Sequence, residues 1–177
     1  MGTSAPTVVV VMGVAASGKS TLGRLLARRR GVPFVEGDDL HPAGNIARMS
    51  AGEALDDEDR EPWLRAVAAR IRAATLAGDG AVVSCSALKY AYRERFRAAG
   101  PGVWFLHLEL DPEVARARIA RRSGHFMPAS LLASQYRALE PLRADEPGLT
   151  VDADAGQETT LDEVQAAVLR FEQRGPG

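Results

Sequence analysis

Cysteine occurs once in the 177 residues, as Cys85, and histidine three times, so the chain has neither an internal disulfide framework nor a Cys/His cluster at zinc-ligand spacing. Charge of one sign is missing as well. Lys and Arg number 22 against 23 Asp and Glu, a net charge of -1, which creates no overall field to draw the chain onto nucleic acid or anionic lipid. The expectation is no nucleic-acid partner and no membrane. No apolar run is long enough to span a bilayer: Val8 to Gly18 is too short and has no basic segment before it, which points to a cytoplasmic protein. Met1 to Pro6 resembles a myristoylation start, but Pro6 stands where that motif requires Ser or Thr. What is present, 46% hydrophobic and 25% charged residues, suits one compact domain that buries roughly 70% of its unfolded surface without staples.

Thr7 to Met12 is a continuous run dominated by valine, the pattern of a strand buried on both faces of a parallel sheet, and is expected to be the central strand. Gly13 to Ser20 is a Gly-punctuated turn, and Leu22, Leu25 and Leu26 mark a helix over 19–30 that Gly31 stops. A short strand at 33–36 precedes the polar segment Gly37-Asp38-Asp39-Leu40-His41-Pro42, read as irregular. Ile46 and Met49 suggest a short helix, and Trp63, Leu64, Val67, Ile71 and Leu76 place a core-facing stripe on a helix over 59–77. Strands over 81–84, 103–110 and about 149–151 alternate with helices at 90–98, 112–122, 129–139 and 161–171, Asp111-Pro112 opening the second of these as an N-cap and first-turn proline. Five buried strands alternating with helices predict an α/β three-layer domain over 7–172, with helices on both faces of a parallel sheet. Frayed tails are expected at 1–6 and 173–177.

Gly13-Val14-Ala15-Ala16-Ser17-Gly18-Lys19-Ser20 matches G-x-x-x-x-G-K-[ST] in the context that gives the motif its meaning, a buried strand before it and a helix after it. The glycines let the backbone close around phosphate oxygens, the N–H groups at the helix start supply positive partial charge, Lys19 reaches the β/γ-phosphates and Ser20 can ligate Mg2+. Thr21 continues the loop into the helix. A phosphate cradle does not name the acceptor. The chain's single asparagine, Asn45, is followed by Ile46, so the Asn-Lys-x-Asp guanine reader is absent; Ala81 to Val83 ends in Ser84-Cys85-Ser86 and not in the acid of a Walker B strand. A small phosphotransferase remains. Glu36-Gly37-Asp38 brings two carboxylates near the loop, one suited to hydrated Mg2+ and one to an acceptor hydroxyl, although Asp38-Asp39 alone also reads as an acidic turn. Arg116, Arg118, Arg121 and Arg122 lead to Gly124-His125-Phe126; taken alone they are a solvated helix face, and in a phosphotransferase they are a lid, with Arg121 and Arg122 first to meet the transferred phosphoryl.

The series Gly37-Asp38-Asp39-Leu40-His41-Pro42, Asn45-Ile46, Met49, Gly52, Leu55, Asp57, Asp59-Arg60, Pro62-Trp63-Leu64, Val83 to Lys89 with Tyr92-Arg93, then Arg118, His125-Phe126, Leu131-Leu132, Ser134-Gln135 and Leu139-Glu140-Pro141 resembles the gluconate kinases, relatives of shikimate kinase. The resemblance runs from about Val8 to the C-terminal helix. It implies the P-loop fold of the nucleoside-monophosphate-kinase-like group, with an acceptor-binding region at about 37–65 and a lid at about 118–135. It also implies ATP and Mg2+ as cofactors, D-gluconate as substrate and a homodimer. By analogy with shikimate kinase, Asp38 resembles the substrate carboxylate and Glu36 the one near Mg2+. His41, Arg48, Arg60, Lys89 and His125 are the further acceptor-site candidates, His41 standing equally for a residue that orders its loop, and Arg118 joins the nucleotide contacts. Cys85, His107, Trp63 and Trp104 read as packing residues.

Overall fold

A computed structural model describes residues 4–122 and 128–175. Among them the order is β1 (Val8–Met12), α1 (Lys19–Arg30), β2 (Phe34–Glu36), a 3-10 turn (Gly37–Leu40), α2 (Ala43–Ser50), α3 (Asp57–Ala77), β3 (Ala81–Ser84), α4 (Tyr90–Ala99), β4 (Val103–Glu109), α5 (Pro112–Arg121), α6 (Ala129–Ala138), β5 (Gly148–Asp152) and α7 (Gln157–Arg174). The sheet runs β2-β3-β1-β4-β5 with every pairing parallel, so β1 is the central strand as expected.

The valine run explains that position. Side chains alternate across a strand, so Val8, Val10 and Met12 enter one core with Trp63, Leu64, Val67 and Ile71 of α3 and Phe96 of α4, while Val9 and Val11 enter a second core with Leu22 and Leu26 of α1 and Val164 and Val168 of α7. A strand with no polar residue has no face it can turn to water, and helices on both sides follow. A third cluster, Val14, Leu88, Leu110, Ala115 and Leu132, closes the carboxyl end of the sheet beneath α5 and α6.

Three local expectations are revised. Leu76 leaves the α3 stripe and is 81% exposed, because the i+4 row through Trp63, Val67 and Ile71 continues to Thr75. The segment after β2 is not irregular: it closes a 3-10 turn with His41 N–H donating to the Asp38 carbonyl at 3.3 Å, and the indole Nε1–H of Trp63 donates to the Gly37 carbonyl at 2.9 Å. A Cβ at position 37 would lie 2.1 Å from the Ser84 carbonyl, so the turn approaches β3 as only glycine permits. The last turn of α7 is ordered through Arg174, since Glu172 accepts from Arg30 of α1 and from Thr7 Oγ1 ahead of β1. Residues 1–3, 123–127 and 176–177 lie outside the described part, and with them His125 and the centre of the expected lid.

A buried ion pair sets the floor of the carboxyl end. Arg93 and Glu146 both have side chains at 0% exposure; Arg93 Nε donates to Glu146 Oε2 at 2.6 Å and Nη2 to Oε1 at 3.0 Å. The remaining guanidinium donors reach the carbonyls of Ala87 (2.9 Å), Leu88 (3.2 Å) and Pro141 (3.3 Å). The pair thus ties the β3–α4 loop to the segment that leads into β5. Glu146→Ala leaves this charge buried and unpaired, and we expect a stability loss of about 3–5 kcal/mol, read as a lower urea midpoint at unchanged slope.

Candidate active site

The turn from β1 into α1 is built to receive an anion. Helix α1 starts at Lys19 with Gly18 as N-cap, no capping side chain and no acidic residue in its first turn, whereas Asp56 and Asp59 cap α3 and Asp111 caps α5. Its first N–H groups and the positive end of its dipole are left for a ligand. Gly13 has φ +146°, and a Cβ there would lie 2.8 Å from the Leu108 carbonyl; Ala16 sits in the left-handed region at φ 67°. Ser17 Oγ is buried with no hydrogen-bond partner among the described residues. Ala15 N–H donates to Gln135 Oε1 of α6 at 2.7 Å, so a side-chain amide oxygen occupies a position suited to a phosphate oxygen. The uncapped helix, the orphaned hydroxyl and this oxygen fit the phosphates of a nucleotide.

Lys19 folds back and donates from Nζ to the Val14 carbonyl at 2.9 Å. Burial draws its pKa below the ordinary lysine value, opposed by the Asp38 and Glu36 carboxylates and assisted by the positive charge of Arg122. Parallel pairing of Glu36 with Ser84 sets the end of β2 beside the loop. Ser20 Oγ donates to Glu36 Oε2 at 2.5 Å, Ser84 Oγ donates to Glu36 Oε1 at 3.2 Å, and Arg24 stands 3.7 Å from the same carboxylate. One hydroxyl and one carboxylate are hard oxygen donors that fit Mg2+, a cation that keeps several waters and takes its other ligands from phosphates. No group of three or more His, Cys, Asp or Glu among the described residues could hold a metal alone.

Beside Lys19 lies a cavity of about 430 Å³ whose wall includes Ala15, Lys19, Asp38, Asp39, His41 and Arg60, with Ile46, Met49, Leu55, Trp63, Leu131, Ser134 and Gln135. It therefore combines the catalytic-loop lysine, two carboxylates, a guanidinium and apolar surface. His41 stacks on Trp63 with ring centroids 4.4 Å apart and planes 9° apart. Burial, then the charge of Arg60, pushes the His41 pKa down to about 4. Arg60 Nη1 donates to Tyr92 Oη at 2.8 Å, which fixes the guanidinium at the cavity edge. A second cavity of about 280 Å³ runs from Ser17, Gly18 and Thr21 to Arg118, Asp152 and Ala155. There Arg118 bridges the Ala16 carbonyl (3.0 Å), the Ala153 carbonyl (3.3 Å) and Asp154 (2.7 Å). Two cavities meeting at one phosphate loop can align a donor and an acceptor.

Of the residues expected from sequence, the loop 13–21, Glu36, Asp38, His41, Arg60 and Arg118 come together here. Arg48 does not: it pairs with Asp59 at 2.7 Å and Glu53 at 3.1 Å, outside the cavity wall. Lys89 pairs with Asp57 at 2.8 Å and likewise stands off the wall. Arg121 and Arg122 are exposed at the end of α5, and His125 lies outside the described residues. Trp63 is a packing residue that also walls the cavity, a role its place in the apolar stripe of α3 conceals. Ile46 of α2, 45% exposed, also walls the cavity, and no sequence signal set it apart from a helix-face residue. Cys85 is fully buried, and burial pushes its thiol up to about 12, so it is no nucleophile at neutral pH. His107 and Trp104 are buried in β4.

Comparison with known proteins gives the family. A family described as an AAA domain matches residues 8–142. The gluconokinase of Gluconobacter oxydans (strain 621H) is 44% identical over 159 residues, 90% of this chain and 89% of its own. The crystal structure of a gluconokinase from Sinorhizobium meliloti 1021 superposes with a TM-score of 0.86 at 40% identity, covering 97% of each chain. Shikimate kinase from Aquifex aeolicus vf5, at 14% identity and a TM-score of 0.57 over 92% of this chain and 96% of its own, shares the fold. Identity of this extent over nine-tenths of both sequences decides membership: the chain belongs to the gluconokinase family of P-loop kinases.

Proposed function

We propose that this protein transfers the γ-phosphoryl group of ATP to the terminal hydroxyl of D-gluconate, giving 6-phospho-D-gluconate and ADP. The observation that carries the reading is the single cavity in which Lys19 of the phosphate loop stands with Asp38, His41 and Arg60. Gluconate is a chain of hydroxyls ending in a carboxylate, and this wall offers a cation for the carboxylate, polar partners for hydroxyls and a free carboxylate near the phosphate loop.

Lys19 exchanges the Val14 carbonyl for β/γ-phosphate oxygens, and the N–H groups of 15–20 hold the same phosphates. Ser20 and Glu36 would hold Mg2+, which supplies charge neutralisation between the phosphates when bound. Asp38 orients the terminal hydroxyl and takes its proton as that oxygen bonds to phosphorus and the bond to the ADP oxygen breaks. Arg60 pairs with the gluconate carboxylate at the far end. Arg118 is assigned to the nucleotide side, and Arg121 and Arg122 to the charge that develops on the transferred group. Arg48, Lys89 and His125 are assigned to the rim of the acceptor site. Cytoplasmic placement and a homodimer belong to the same reading; no helix among the described residues is long and apolar enough to cross a membrane.

ADP release with Mg-ATP and a panel of D-gluconate, shikimate, other sugar acids and nucleoside monophosphates tests the proposal. Turnover confined to gluconate is the expected result; turnover on shikimate instead, or ATP binding with no turnover on any acceptor, overturns it. Lys19→Ala should lower kcat by on the order of 100-fold or more, the scale of losing one fixed positive partner of the developing charge. Asp38→Asn should lower kcat with the KM for gluconate held within about threefold, since the amide still binds the hydroxyl but cannot take its proton. Full turnover in Asp38→Asn removes Asp38 as the base.

A further inference from the structure

Asn45 is the one asparagine of the chain; it is 8% exposed, on α2, and stands between the acceptor cavity and the start of α3. Its side-chain amide nitrogen makes two contacts. Nδ2 donates to the Asp59 backbone carbonyl at 2.8 Å and lies 3.4 Å from His41 Nδ1. The first contact decides the orientation of the amide, because a backbone carbonyl only accepts and the amide oxygen could not replace the nitrogen there. With one N–H of Nδ2 on Asp59, the other faces His41. A ring nitrogen that accepts from a donor presents its lone pair, and in a neutral imidazole that arrangement puts the proton on Nε2.

The surroundings keep the ring neutral and in place. Stacking on Trp63 holds its plane, and Trp63 is itself held by its bond to the Gly37 carbonyl. The charged groups that share the cavity wall with His41 are Arg60 from α3, Lys19 from α1, and Asp38 and Asp39 from the 3-10 turn. Nε2 has no hydrogen-bond partner among the described residues and is not one of the fully buried unsatisfied atoms, so it is open to a partner from outside on a residue that lines the cavity.

We infer that Asn45 is a positioning residue that fixes His41 as a neutral Nε2–H donor aimed at an oxygen of the acceptor substrate. The inference rests on the proposed sugar-acid acceptor, and it assigns His41 to substrate recognition and not to proton transfer. A donor of fixed direction favours an acceptor substrate that places a hydroxyl or carboxylate oxygen opposite it. A substrate without that oxygen leaves Nε2–H unpaired, and that cost is discrimination. Because the group is neutral, it adds no further positive charge beside Arg60 and Lys19, as an imidazolium would.

The test begins with wild-type protein carrying 15N in its histidine rings. Long-range 1H–15N correlation between pH 5 and 8 reads the tautomer directly, with the His41 peaks assigned by their loss in His41→Gln. The expected spectrum is a neutral ring with the proton on Nε2 throughout. A proton on Nδ1, or conversion to the cation above pH 6, overturns the inference. In Asn45→Asp the side chain only accepts, so the neutral ring should pass to the Nδ1–H tautomer, which leaves Nε2 without a proton. The KM for gluconate should then rise about tenfold, while kcat and the KM for ATP change less than threefold. Should loss of the bond to Asp59 unfold that variant, two substitutions at the ring decide. His41→Phe keeps the stack on Trp63 without the donor and should show the same rise in KM; His41→Gln offers an amide oxygen to Asn45 and an N–H to the cavity and should recover part of that loss, with a KM below that of His41→Phe. Wild-type KM in His41→Phe overturns the inference. Wild-type protein that phosphorylates no sugar acid sinks the proposed function, and the ring spectrum still decides the tautomer independently.

Discussion

Everything in this site depends on one helix end that the protein itself leaves unsatisfied. At the start of α1 the chain has glycine where α3 and α5 have aspartate, and no carboxylate in the first turn competes for the free N–H groups. The positive end of the dipole is therefore available to phosphate, and the cost of leaving it bare is met only while a ligand is bound. Around this point the other groups are arranged by charge. Glu36 and Asp38 face the loop from the end of β2, close enough to oppose the effect of burial on Lys19. In their absence a lysine in that position would be drawn further toward its neutral form and would lose its grip on phosphate.

The acceptor side is a rigid frame built from bonds between elements distant in sequence. Trp63 of α3 reaches the Gly37 carbonyl, His41 lies flat on Trp63, Asn45 of α2 joins His41 to the Asp59 carbonyl, and Arg60 is fixed by Tyr92 of α4. The buried Arg93–Glu146 pair braces the loop on the other side, where Ser86 and Leu88 reach the cavity wall. Gln135 links the two halves, since its amide oxygen rests on the Ala15 N–H of the phosphate loop while its helix walls the acceptor cavity. A phosphate oxygen at that N–H would take the place of Gln135, which belongs to the segment 118–135 expected as the lid.

Much of this was readable before any coordinates. The valine run of β1 could only be a central strand, since no polar residue breaks it, and Gly13 to Ser20 between strand and helix could only be a phosphate loop. Glu36 and Asp38 were suggested by two carboxylates two residues apart at the end of the next strand in sequence, a pattern that alone also reads as an acidic turn; pairing of β2 with β3 is what brings them to the loop. Less legible were side chains with more than one available partner. Arg48 and Lys89 have the charge for a sugar acid, yet Asp59 and Asp57 hold them off the cavity wall. Trp63 repeats at core spacing, so its periodicity masks its second role, and Leu76 was placed on the stripe one residue beyond the row that continues inward.

Sequence alone determined the strand-helix alternation, the sheet with helices on both faces, and the identity of the phosphate loop, because these follow from hydrophobic period and from backbone demands that few residues satisfy. Only the tertiary structure decided which charges are spent on one another, and which nitrogen of His41 faces Asn45. Periodicity says which side of a helix meets the core. It carries nothing about which of several like-charged side chains finds its partner first, and that is settled by distances between elements far apart in the chain.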